Sequence, residues 1–286
     1  VAPLIAVPNF SEGRDPGTLR ALTAALERAS TVHDRHADAD HNRAVLTVSG
    51  EPTALLDALL AAAAVAVERI DLRAQTGAHP RVGVLDVAPI VHRSEPERGP
   101  ATATALVLGD RLAEELALPV FLYGALSPAG HSRAALRRGG PAELARRIAV
   151  GELRPDFGPA RLHPTGGAVL VTARPPLVAF NLELAAPATL ADARRIAALI
   201  REGGPEGLPG VRAIGVQLHH PDRAQISTNV EDHHTTALAE VLAAVAAHAR
   251  VARAELVGVA PRAAFRGFPD DLPLSGRRYL EDLDMP

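Results

Sequence analysis

His79 stands in the turn Thr76-Gly77-Ala78-His79-Pro80-Arg81, between a glycine that permits a tight bend and a proline that stiffens the exit. An imidazole titrates near neutral pH, so His79 can take up a proton and return it within one reaction. Arg81 offers a two-pronged guanidinium to a carboxylate. The structural alternative is a loop histidine bonded to backbone carbonyls. A second cluster places three His and three Asp within nine residues, His33-Asp34-Arg35-His36-Ala37-Asp38-Ala39-Asp40-His41, followed by Asn42-Arg43. These are metal-ligating types. On a strand, however, His33 and Arg35 face one way and Asp34 and His36 the other, which separates the ligands. No bound metal is expected, and Asp40, His41, Asn42 and Arg43 are expected to form a ligand-contacting loop. The third stretch is Phe157-Gly158-Pro159-Ala160-Arg161-Leu162-His163-Pro164-Thr165-Gly166-Gly167. Its glycines and prolines fix an unusual path that can bring backbone N–H groups close to a flat ligand, although a linker has similar composition. The pairs His219-His220 and His233-His234 are weaker candidates, because neighbouring residues point apart on a strand.

The elements that must hold these residues follow from periodicity. Residues 3–8 read as a buried strand, 16–29 as a helix, 31–37 and 44–48 as strands, 51–70 as an alanine-rich helix and 81–92 as a strand. The same order returns as a strand at 176–181, a helix at 190–201, strands at 211–218 and 224–230 joined by the turn His219-His220-Pro221-Asp222, a helix at 235–247 and a strand at 254–259. Between them lie a helix at 101–116, a strand at 119–123 and a Pro/Gly-rich connection. After Pro261 the chain reads as irregular. Two βαββαβ units of the split βαβ, ferredoxin-like type are therefore expected, an α+β fold with a ligand cleft between the halves. The boundary is expected near Arg174-Pro175-Pro176, dividing the chain into 1–174 and 175–286.

Composition narrows the chemistry. In 286 residues there is no cysteine and no lysine; all 30 cationic side chains are arginine. Disulfides, thiolate nucleophiles, Schiff bases and a phosphate-binding lysine are excluded. A net charge of −3 gives no basic field for nucleic acid. The longest apolar run is too short to span a bilayer, and no export signal is evident, so a cytoplasmic location is expected.

Several segments together resemble the glutamate formimidoyltransferase family, the formiminotransferase part of formiminotransferase–cyclodeaminase. They are Val7-Pro8-Asn9-Phe10-Ser11-Glu12-Gly13, Asp38-Ala39-Asp40-His41-Asn42-Arg43, Gly77-Ala78-His79-Pro80-Arg81-Val82-Gly83, Leu122-Tyr123-Gly124, Pro155-Asp156-Phe157-Gly158-Pro159, Val178-Ala179-Phe180-Asn181 and Gln225-Ile226-Ser227-Thr228-Asn229. They run in family order over residues 4–265. The resemblance implies two ferredoxin-like halves, a folate site between them and a homodimer. It implies transfer of a formimino (or formyl) group from N-formimino-L-glutamate to N5 of tetrahydrofolate, in histidine degradation, with folate as co-substrate and without a metal. The family's catalytic histidine falls on His79. Its folate segment falls on residues 158–167. Arg43, Arg81 and Arg174 are the expected carboxylate partners, with Asp40, His41 and Asn42 beside them. Cyclodeaminase activity is not expected of a sequence of this length. Where the family commonly reads His-Lys-Gly-Glu-His-Pro-Arg, this chain has Gln75-Thr76-Gly77-Ala78-His79-Pro80-Arg81. A family aspartate appears as His36, a Ser-Trp-Gly as Thr165-Gly166-Gly167 and a Thr-Gly-Ala-Arg as Val171-Thr172-Ala173-Arg174. With no carboxylate at position 78, His79 is expected to titrate lower than in relatives that keep it. The alternative is a non-catalytic relative that binds folate or a partner protein; a metal hydrolase built on the His/Asp cluster is a distant third.

Overall fold

A computed structural model describes residues 2–219 and 222–285; the expected turn at His220-Pro221 lies outside them. The chain divides into two compact units, one running to Pro175 and taking in the last residues from Asp284, the other spanning Pro176–Leu283.

The first unit contains β1 (Leu4–Ala6), β2 (Asn9–Phe10), α1 (Pro16–Glu27), β3 (Thr31–Asp38), β4 (Arg43–Gly50), α2 (Pro52–Arg69), β5 (Leu85–Val91), α3 (Glu95–Leu116), β6 (Val120–Leu122), α4 (Arg133–Arg137), α5 (Gly140–Ala149) and β7 (Val169–Arg174). The opening strand is interrupted because Pro8 has no N–H to give the ladder. Its carbonyl still accepts from Leu46 N at 3.1 Å, so β1 and β2 both lie between β4 and β5. With β3 beside β4, all these pairings are antiparallel, the split βαβ order.

The sheet then continues beyond that core. β5 pairs in parallel with β7, and β7 with β6. Composition predicts only a Pro/Gly-rich connection after β6, and β7 corrects that expectation. Residues 169–173 are continuously apolar or small and all buried, a pattern that lacks the alternation of a half-exposed strand. Helices α1, α2 and α3 cover one face of the sheet around Phe10, Leu46, Leu59 and Ile90. Helices α4 and α5, also within the supposed connection, cover Val87, Phe121 and Leu170 on the other face. Two further boundaries move. α3 begins at Glu95 and tolerates Pro100 inside it, and β5 begins only at Leu85.

The second unit contains β8 (Val178–Leu184), α6 (Leu190–Ile200), β9 (Val211–His219), β10 (Asp222–Val230), α7 (Leu238–Ala246), β11 (Val251–Val257) and β12 (Leu274–Ser275). Strand order β12-β11-β8-β10-β9 repeats the split βαβ order. It adds β12, parallel to β11, from the tail expected to be irregular. Thr189 starts α6 with a capping box: Asp192 Oδ2 accepts from Thr189 N at 2.9 Å, and Thr189 Oγ1 accepts from Asp192 N at 3.3 Å. Phe180, Ile196, Val241 and Leu256 form its core. Among the described residues, no helix is long and apolar enough to cross a membrane.

Candidate active site

Asp86 organises the chemistry of the first unit. Asn9 pairs with Val87 and Phe10 with Leu85, so Asp86 is the extra residue of a β-bulge, a device that re-aims a side chain. Its carboxylate is fully buried. Oδ1 accepts from Val82 N at 2.8 Å; Oδ2 accepts from Arg43 Nη1 at 2.7 Å and from Arg137 Nη2. Burial alone would raise its pKa, but Arg137 and Arg43 outweigh that penalty and hold it below the ordinary carboxylate value. Arg43, at the start of β4, also donates to Asn9 Oδ1 from Nε at 3.1 Å and from Nη2 at 2.8 Å. Burial pushes Arg43 down to about 10, with Asp86 opposing, so it stays cationic at neutral pH.

Three loops are stapled together above this pair. Arg81 donates to backbone carbonyls: Nη1 to Asn42 at 2.9 Å, Nη2 to His41 at 2.6 Å and Nε to His79 at 3.4 Å. Ala78 N donates to Asp40 O at 3.0 Å. Asn42 sits at φ 45°, a left-handed conformation that asparagine tolerates better than most residues. Its side chain accepts from Gly13 N at 2.9 Å and donates to Thr76 O at 3.0 Å and to Gln75 Oε1. Gln75 in turn donates to Glu12 Oε2 at 3.2 Å. A methyl group on Gly77 would run into the His41 carbonyl and the Arg81 guanidinium. Gly77→Ala is therefore expected to destabilise the chain by about 1–3 kcal/mol, read from its urea midpoint. An unchanged midpoint would show that the loops are not packed this way.

His79 is half-buried at the tip of this assembly. Its Nδ1 lies 2.7 Å from Pro80 O. A carbonyl only accepts, so Nδ1 carries the hydrogen and Nε2 is the basic nitrogen of the neutral ring. The loop-histidine alternative is thus met at one nitrogen, while the other is left for chemistry. The His41 ring stands edge-on at 6.1 Å between centroids. Desolvation foremost, then Arg43, Arg137 and His41, hold the His79 pKa well below its usual 6.5.

The sequence-identified residues divide by position. Asp40, His41, Asn42, Arg43, His79 and Arg81 come together. Residues 165–168 are fastened to both stems of the His79 loop: Leu72 N donates to Thr165 O at 2.8 Å, Val84 N to Gly166 O at 2.9 Å and Ala168 N to Val82 O at 2.9 Å. Gly167, at φ +73°, has its missing side chain directed at Val82 O. His163 closes the turn, its Nδ1 accepting from Gly166 N at 2.8 Å. Gly158 instead lies against Leu118 and Ala113, at the far end of α3. Pro159 accepts from Arg161 N at 2.8 Å; Ala160, Arg161 and Pro164 are exposed, and Leu162 packs toward the core under α5. Arg174 is not brought to the cluster. It pairs with Val91, five residues along β7 from the level of Asp86, or about 16 Å, and its Nη1 donates to Pro175 O at 2.9 Å.

On β3, a bulge at His33 shifts the register, while Asp34, His36 and Asp38 alternate with exposed Arg35 and Ala37. Asp38 Oδ1 accepts from His41 N at 2.7 Å and so shapes the loop that follows. His233 and His234 lie in a turn rather than a strand, and their rings approach to 4.1 Å between centroids, which corrects the expectation that they point apart. Asn9, Glu12 and Gln75 stand out in the sequence only as members of family motifs, and Asp86 and Arg137 do not stand out at all. An acid inside Leu85-Asp86-Val87 is the one local signal, since a buried carboxylate needs a partner; nothing local marks Arg137.

Fold and site define an α+β protein of two units, the first carrying a half-buried, easily deprotonated histidine on loops held by a buried Arg–Asp–Arg network. Residues 4–174 match the N-terminal subdomain of the formiminotransferase domain, and residues 179–267 match the formiminotransferase domain. The chain belongs to this family. It is 38% identical over 272 residues to formimidoyltransferase-cyclodeaminase of Gallus gallus, covering 90% of this chain and 50% of that protein. It is 32% identical over 264 residues to glutamate formimidoyltransferase of Streptococcus pyogenes serotype M1, covering 89% and 88%. To glutamate formimidoyltransferase of Thermoplasma acidophilum it is 34% identical over 236 residues, covering 80% and 77%. The chain spans about half the length of the formimidoyltransferase-cyclodeaminases it matches.

Proposed function

We propose that this chain transfers a formimino group from N-formimino-L-glutamate to N5 of tetrahydrofolate, with His79 as general base and then general acid. The observation that carries the proposal is the 2.7 Å contact of His79 Nδ1 with the Pro80 carbonyl, which leaves Nε2 as the basic nitrogen. At neutral pH its ring is uncharged, with Nδ1–H tied to Pro80 and Nε2 able to accept. As the folate N5 amine attacks the formimino carbon, it forms a C–N bond and sheds a proton, which Nε2 takes. Desolvation first, then the charges of Arg43 and Arg137, disfavour the imidazolium so formed, which makes it a stronger acid than an ordinary one. It returns the proton to the glutamate nitrogen as that C–N bond breaks, so one residue serves both halves. Asp40, His41 and Asn42 flank the donor in this scheme, Arg43 and Arg81 position the loop that carries His79, and residues 158–167 contact the folate.

Tetrahydrofolate and formiminoglutamate, followed by acid and the absorbance of the methenyl product, test the activity directly. Folate binding without turnover would favour the non-catalytic alternative. The pH profile is a second expected outcome. The base form of His79 is lost as pH falls, so kcat/KM should drop on the acid side with a midpoint below 6.5. Ala78→Glu places a carboxylate beside the ring, favours the imidazolium and should move that midpoint upward. A limb that does not move would detach His79 from the rate.

A further inference from the structure

The buried network under α4 holds more positive than negative charge. Asp86 faces two guanidinium groups, those of Arg43 and Arg137. Two buried polar atoms in this part of the first unit have no protein hydrogen-bond partner among the described residues: Nε of Arg137, whose side chain is 10% exposed, and the hydroxyl of Tyr123, a residue 5% exposed. Leaving such groups unmet is costly, and a bound acceptor would relieve both. Both are gathered by α4. The Arg133 guanidinium lies 5.7 Å from the centre of the Tyr123 ring, and Arg137 follows one helical turn later on the same face. Arg147 braces the helix by donating from Nη1 to Ala135 O at 2.9 Å.

The chemistry of the ligand follows from the donors. A guanidinium N–H and a phenolic O–H both donate, and the surplus charge is positive, so the matching group is an anion that accepts several hydrogen bonds. We propose that Arg137 and Tyr123 form a carboxylate-binding subsite beside His79, which holds the amino-acid end of the formimino donor. Proximity to His79 comes through Asp86, which accepts from Arg137 and from Val82, three residues after the histidine. Because Asp86 already orients the Arg137 guanidinium, little side-chain freedom remains to be lost on binding. The subsite rests on the transferase reading for the identity of its ligand.

L-glutamate, the group left after transfer, is the probe. Calorimetric titration should show Arg137→Ala and Tyr123→Phe each weakening L-glutamate about 10- to 100-fold, the usual worth of a hydrogen bond to a charged group. Arg137→Lys should recover only part of the loss, because an ammonium lacks the planar fork. Turnover should show a raised KM for formiminoglutamate with a smaller change in kcat. Tyr123→Phe removes only the unmet hydroxyl, so its Tm should stay level or rise, and this variant carries the test if Arg137→Ala fails to fold. Wild-type affinity in Tyr123→Phe and Arg137→Lys overturns the subsite, as does a wild-type chain that does not bind L-glutamate at millimolar concentration. Arg137-dependent glutamate binding without any turnover supports the subsite and overturns the transferase reading. Turnover with a KM indifferent to Arg137 overturns the subsite alone.

Discussion

His79→Ala should lower kcat by about 10²–10⁴, the range set by losing one positioned acid/base group. Folate affinity should change little, since the imidazole acts on a proton that moves only in the transition state. Among the described residues the ring's one side-chain hydrogen bond is to the adjacent Pro80 carbonyl, so the variant should fold as the parent does. That separates a chemical loss from a structural one. Added imidazole offers a further check, because a free base of similar pKa should restore part of the rate. Full activity in His79→Ala would remove the histidine from the mechanism. Loss of folate binding together with kcat would recast it as a binding residue.

Asp86→Ala should cost about 3–5 kcal/mol of folding stability, measured by urea unfolding, because it leaves two buried guanidinium groups without their shared counter-charge. Arg43 would keep Asn9, but Val82 N would lose its acceptor. Asp86→Asn retains the shape and a carbonyl oxygen for Val82, and should fall between the parent and the alanine variant. The pH dependence has a definite sign. Asp86 is held below its unfolded value of 3.8, so its ionised form stabilises the fold above that pH. The stability gap between parent and Asp86→Asn should therefore be level near neutrality. It should narrow as the pH falls below 3.8 and through the lower folded-state value. A gap that persists unchanged in strong acid would mean that Asp86 does not act through its charge.

Much of the architecture was legible without coordinates. Amphipathic spacing at Leu22, Ala25 and Leu26, and at Ala193, Ile196 and Ile200, marks helices α1 and α6 because a helix returns to the same face every three or four residues. The repeated order of such segments, and seven motifs in family order, pointed to two α+β units and to the formiminotransferase family. Local pattern failed where burial removes the pattern. β7 is buried on both faces and shows no alternation, and the five residues of α4 are too few to display a period.

Residue identity sets which side chains are on offer: an imidazole in a stiff turn, arginine as the sole fixed cation, glycines where backbones must meet. The partner of each is fixed by the fold. Arg43 meets Asp86 across 43 residues of chain and Arg81 meets Asn42 across 39, while Arg174 ends at the opposite end of its strand. A guanidinium binds whichever acceptor the fold presents, a backbone carbonyl, a buried carboxylate or a ligand, and its own neighbours in sequence do not say which. The low pKa of His79 has the same origin. It comes chiefly from burial and from two arginines that lie 36 and 58 positions away, and both depend on how the sheet registers its strands.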